Sequence, residues 1–182
     1  MNKTARVLVT YDCFQNCPGC VNKSVTPSGI FDPSMSGQYD EIILTGGEPM
    51  FFPSRIRRFV QEIKSYNFSA KVILYSSYFD PKFTDELKDT LTMVNGYTFT
   101  VHNNEFSVKR FLQLDCLVAD WLALFQPGTL RLNIDSRLKD YFDKYYTDNF
   151  CQWHQRKYFD FDPDCKLPEH EIFLSLKKLW II

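Results

Sequence analysis

The sequence predicts an α/β fold: one domain built on a mainly parallel sheet of about five to six strands, with a less regular C-terminal tail. Three observations carry this. Short apolar runs rich in β-branched residues recur as "RVLVTY", "EIILT", "KVILYS", "GYTFTVH" and "LRLNI". Between several of them lie segments whose apolar residues repeat at helical spacing, and such alternation calls for right-handed βαβ crossovers and parallel neighbours. With 182 residues, 45% hydrophobic and 16% aromatic, the chain suits one core rather than two.

Each element has its own local signal. "RVLVTY" leads into a cysteine loop, and "EIILT" leads into "GGEP". Between them, Pro27, Gly29, Pro33 and Gly37 leave room for a loop with at most a short helix. After Pro53, Ser54 is the expected N-cap of a helix whose Ile56, Phe59, Val60 and Ile63 recur at i, i+3, i+4 and i+7, with Arg55, Arg57, Arg58 and Lys64 outward. "KVILYS" follows as the third strand. In "DPKFTDELKDTL", Asp80 is the cap, Pro81 takes the first helical position, and Phe83, Leu87 and Leu91 form one stripe. After the fourth strand, Glu105 to Phe125 reads as a helix on Phe106, Leu114, Leu117, Val118, Trp121 and Phe125, with Cys116 as a small core residue. "QPG" ends it before "LRLNI". Residues 1–135 form the core unit and 136–182 a C-terminal extension expected to pack on the same domain.

Composition limits the partners. The formal net charge of -1, from 21 basic and 22 acidic residues, supplies no broad attraction to nucleic acid or anionic membrane. No apolar run approaches the ~20 residues of a membrane span, and "VLVTY" is too short for a signal-peptide core. A cytoplasmic location is expected, where clustered cysteines serve as metal ligands or redox groups rather than disulfides.

The stretch "YDCFQNCPGCVNKS" holds Cys13, Cys17 and Cys20 at C-x3-C-x2-C. A tetrahedral structural site wants four ligands. Three thiolates on a four-iron cube instead leave one iron open to a small chelating ligand. In parallel sheets ligands collect at the carboxyl ends of strands, where both this loop and "GGEP" fall. Taken singly, a C-x2-C pair suits a zinc knuckle and a Gly-Gly pair suits a plain turn; their order and strand-end setting favour a shared site.

The cysteine loop together with "LTGGEPMFF" resembles the radical S-adenosylmethionine superfamily. The resemblance implies a partial (β/α) barrel, a [4Fe-4S] cluster on Cys13, Cys17 and Cys20, and S-adenosylmethionine chelating the open iron. It implies further that Gly46, Gly47, Glu48 and Pro49 hold the methionine moiety, since glycines admit close backbone approach and a carboxylate accepts from an ammonium. A low-potential donor, a flavodoxin or ferredoxin, would supply the electron that cleaves the cofactor into methionine and a 5′-deoxyadenosyl radical. Ser76, His102, Asn103 and Asn133 end strands where the superfamily places polar groups near the ribose; turn or capping roles are the plainer alternative.

For the substrate, "CPGCVNKS" is similar to the loop of activating enzymes for anaerobic ribonucleotide reductase, which make a glycyl radical on a large partner. Gly19, Asn22, Lys23 and Ser24 match that pattern; Val21 replaces an aromatic, Val25 stands near where a tryptophan is usual, and Glu48 where Asp is common. The alternatives are a minimal radical enzyme acting on a small molecule or nucleotide and, more remotely, a non-enzymatic zinc module. In the tail, Cys151, His154, Cys165 and His170 have the pairwise spacing of a structural zinc site, against a plainer reading as partly buried thiols and surface histidines.

Overall fold

The computed structural model describes residues 3–15, 17, 19–121, 129–146, 153, 155–161 and 166–178. Its strands are β1 (Thr4–Leu8), β2 (Gly29–Phe31), β3 (Glu41–Thr45), β4 (Lys71–Ser76), β5 (Gly96–Val101), β6 (Leu130–Asp135), β7 (Gln155–Phe159) and β8 (Glu171–Leu176). Its helices are α1 (Val21–Ser24), α2 (Pro53–Tyr66), α3 (Thr84–Met93), α4 (Glu105–Asp120) and α5 (Lys139–Tyr145).

Alternation along the strands divides the sheet into two unlike faces. Ala5, Val7, Ile42, Leu44, Val72, Leu74, Tyr97, Phe99, Leu130 and Leu132 are buried in one continuous core. Intervening Arg6, Thr45, Tyr75, Thr100 and Asn133 line a cavity instead. The apolar face packs beneath the helices, and the other face remains for binding.

The strands form one sheet in the order β2-β8-β1-β3-β4-β5-β6-β7, with every neighbouring pair parallel. The sheet stays open, its edges being β2 and β7. This is the partial barrel arrangement, but with eight strands rather than five or six. The extra strands are β2, β7 and β8. β2 is three residues long and sits in the stretch expected to be loop. β7, "QRKYF", is an edge strand with its first three residues exposed, so it lacks apolar alternation. β8 lies between β1 and β2, pairing Thr4 with Glu171 and Gly29 with Leu174.

The helices follow the sequence pattern with local differences. α2 buries Ile56, Phe59, Val60 and Ile63, but it starts at Pro53, whose fixed φ suits the first helical position. Ser54 therefore lies inside the first turn rather than at the cap. Arg57 reaches Asp89 at 3.0 Å on the exposed surface, a pair worth at most about 1 kcal/mol. Asp80 accepts from the Lys82 amide at 3.1 Å and caps a 3-10 turn, Pro81–Phe83, that runs into α3. Asn104 caps α4 by accepting from Ser107 N at 2.8 Å. α4 buries Phe111, Leu114 and Val118, while Cys116 is exposed: two residues past Leu114 at helical rotation turns it away from the core. The expected continuation to Phe125 lies outside the described residues. Trp153 anchors the tail, its ring within 6.5 Å of Tyr97, Phe99 and Phe111 and its indole N–H donating to Asp115 at 2.7 Å.

Candidate iron-sulfur and cofactor site

The root of the cysteine loop and the Gly-Gly turn are fitted to each other. Thr10 Oγ1 accepts from Asp12 N at 3.0 Å, and Asp12 O accepts from Glu48 N at 2.7 Å. Gly46 and Gly47 have φ of 87° and 42°. A Cβ on Gly47 would lie 2.4 Å from Asp12 O and 2.8 Å from Thr10 O, and one on Gly46 would lie 2.0 Å from Leu8 Cδ1. Both glycines thus let the protein's own chains approach. Gly47→Ala is expected to cost roughly 3 kcal/mol, a Tm fall on the order of 10 °C, because the clash is with backbone that has little freedom to move. An unchanged melting curve would show that the turn relaxes freely.

Cys13, Cys17 and Cys20 all line one cavity of about 340 Å³, together with Gly47, Glu48, Ser76, His102 and Asn133. Cys13 is exposed; Cys17 and Cys20 are half-buried. Gly19, at φ 67°, turns the loop so that α1 begins directly after Cys20. Phe14 seats the loop, its ring within 5.6 Å of Phe51, Tyr78 and Phe106. Cys17 Sγ is 3.4 Å from both ring nitrogens of His102, in direct contact with the imidazole. Burial first, then the neighbouring Cys13 and Cys20, push the Cys17 thiol up to about 12. Burial pushes His102 down to about 4, which leaves a neutral ring at neutral pH.

This donor set fits an iron-sulfur cluster. Each thiolate raises the cost of ionising the next, and a positively charged iron core removes that cost. Among the described residues no three ligating side chains gather around a single-ion point. A cluster does not ask them to, because each thiolate takes a different iron.

Glu48 is 1% exposed, and its carboxylate is already occupied. Oε1 accepts from Met50 N at 2.9 Å and Ser76 Oγ at 2.7 Å; Oε2 accepts from Ser77 N at 2.8 Å and Ser77 Oγ at 3.0 Å. Four donors match the roughly four acceptor positions of a carboxylate. Burial holds this carboxyl above its ordinary range against the pull of those donors. Ser76 lines the cavity; its single hydroxyl proton is shared between Glu48 and the Tyr78 carbonyl, 2.9 Å away, and its oxygen accepts from the Tyr78 amide at 3.1 Å. Pro49 opens the 3-10 turn Pro49–Phe51 and is buried; neither it nor Gly46 is among the cavity-lining residues.

The tail adds wall residues that spacing alone did not reveal: Phe159, Phe161, Lys166, Leu167 and Pro168. Phe161 lies 4.8 Å from the His102 ring. The cue in sequence was the cluster of three aromatics in "KYFDF". Arg6 also lines the cavity, gripped by Glu171 through Nε at 2.6 Å and its terminal nitrogen at 3.2 Å. Of the second metal set, Cys151, His154 and Cys165 lie outside the described residues. His170 is exposed in the turn before β8, and its carbonyl accepts from Thr4 N at 3.2 Å.

A family model described as a 4Fe-4S single cluster domain matches residues 4–110. The chain belongs to this family. The 4Fe-4S single cluster domain spans the cysteine loop, the Gly-Gly turn and the β4 strand end, whereas β6 and the tail wall lie beyond the matched residues. Membership supports the radical S-adenosylmethionine superfamily that the two motifs resemble. Among solved structures, BtrN in complex with AdoMet and 2-DOIA is similar at 20% identity and a TM-score of 0.43, covering 58% of this chain and 48% of that one. The likeness spans about half of that protein. No curated protein matches the sequence. No helix among the described residues is long and apolar enough to cross a membrane.

Proposed function

We propose that the protein is a radical S-adenosylmethionine enzyme with Cys13, Cys17 and Cys20 holding a [4Fe-4S] cluster. One observation carries this reading: the three thiols and the Gly47–Glu48 turn line the same cavity at the carboxyl ends of the strands. Held by the three cysteines and the Gly47–Glu48 turn, cluster and cofactor would supply one-electron reductive cleavage of the sulfur–5′-carbon bond and, through it, hydrogen-atom abstraction from the substrate. The electron comes from a low-potential donor such as a flavodoxin or ferredoxin, and a cytoplasmic, reducing setting suits the exposed Cys13 thiol.

The chain's own residues hold and shield. Glu48, with its carboxylate filled by Met50, Ser76 and Ser77, serves cofactor binding by fixing the turn rather than by gripping the ammonium group. Neutral His102 and Asn133 offer hydrogen-bonding groups from two strand ends. Phe159, Phe161 and Leu167 close one side and exclude water from a reactive intermediate. The test is anaerobic reconstitution with iron and sulfide, reduction in the presence of cofactor, and measurement of 5′-deoxyadenosine. Brown protein that releases it supports the reading; cluster-loaded, reduced protein that releases none refutes it.

A second reading, activation of a glycyl-radical enzyme, is favoured by the loop "CPGCVNKS", whose Gly19 occupies the left-handed turn and whose Asn22, Lys23 and Ser24 lie in α1. Co-purification with a large glycyl-radical partner is its test.

A further inference from the structure

We infer that Thr98 and Arg131 form an oxyanion-binding subsite at the inner end of the cavity, so that the substrate is a small molecule carrying a carboxylate or phosphate. The inference rests on the reading above for the site's chemistry, but on separate residues.

Thr98 on β5 pairs directly with Arg131 on β6, and Tyr75 on β4 pairs with Thr98. One row nearer the strand ends, Thr100 pairs with Asn133. Tyr75, Thr100 and Asn133 all line the cavity. Residues two apart on a strand share a face, so Thr98 and Arg131 lie on the cavity side, in the row of Tyr75 and roughly 7 Å deeper along the strands than Thr100 and Asn133; they sit behind the lining residues and are not themselves among them.

In this row, Thr98 Oγ1 and Arg131 Nε are buried from solvent and have no hydrogen-bond partner among the described residues. Buried polar groups are normally satisfied, and an orphan pair side by side signals a missing acceptor. Arginine is a donor only and permanently charged, and threonine can donate beside it. Two adjacent donors, one cationic, call for an anionic oxygen; the guanidinium fork suits the planar carboxylate and the phosphate alike. Arg6 does not offer the same, since Glu171 accepts from its Nε and from one terminal nitrogen and so neutralises its charge. A peptide segment carrying a target glycine presents neutral amides and leaves the Arg131 charge uncompensated. The subsite therefore favours the small-molecule reading over the glycyl-radical one.

The experiment is isothermal titration of the full chain as purified, with succinate and with inorganic phosphate separately, and with iron content measured on the same sample. Saturable binding of at least one anion is expected, weakened about tenfold or more in Arg131→Gln, as loss of a charge-assisted bond implies, and weakened also in Thr98→Val. The surface variant Arg58→Gln should bind like the wild type. Whichever anion binds identifies the headgroup. No saturable binding, which would assign the two groups to ordered water, or equal binding in wild type and Arg131→Gln, would overturn the inference. Iron content and 5′-deoxyadenosine report on the cluster reading independently, so failure of one is not failure of the other.

Discussion

Cys17→Ala is expected to give a folded, colourless protein that holds almost no iron and releases no 5′-deoxyadenosine. Cys17 is the central member of the three-thiol set, half-buried on the cavity wall against His102. Removing it leaves Cys13 and Cys20, and two thiolates cannot hold three corners of a cube. The fold should survive because the change deletes one sulfur atom from a cavity wall rather than from the sheet core. Iron and sulfide analysis with circular dichroism separates the two effects. Full iron content with full cofactor cleavage in this variant would remove Cys17 from the ligand set.

Replacing Glu48 should act mainly on stability. Glu48→Ala leaves Met50 N, Ser77 N and two serine hydroxyls without their acceptor in a buried position, and several kcal/mol of destabilisation follow at about 1–3 kcal/mol per unsatisfied group. Glu48→Gln keeps one oxygen but turns an NH2 toward a backbone amide on the other side, so roughly 1–3 kcal/mol is lost, a Tm fall of about 3–10 °C. Cofactor affinity should fall in parallel with the melting temperature as the turn loosens. A Gln variant with wild-type melting behaviour and weakened cofactor binding would show direct contact with the cofactor instead.

Much of the fold was legible in sequence because its signals are local. The apolar periods of α2 and the runs "EIILT" and "KVILYS" report which side of each element meets the core. The spacing of Cys13, Cys17 and Cys20 and the glycines of "GGEP" mark two loops that must approach something closely. That Gly46 and Gly47 approach the chain itself, at Leu8, Thr10 and Asp12, depends on β1 and β3 being neighbours.

The strand-helix alternation and the ligand spacing of the cysteine loop are legible in the sequence alone, since periodicity and spacing are written within a few residues. Only the tertiary structure decided that β8 inserts between β1 and β2, that Phe159, Phe161 and Lys166 join the cavity wall, and that Glu48 spends its carboxylate on Ser76 and Ser77. In "LRLNI", Arg131 and Asn133 alternate with apolar residues, and pairing β6 with β5 sets Arg131 beside Thr98 on the inner face of the open barrel. The physical reason is that alternation states which residues share a face, whereas the medium on that face is set by strands far apart in the chain.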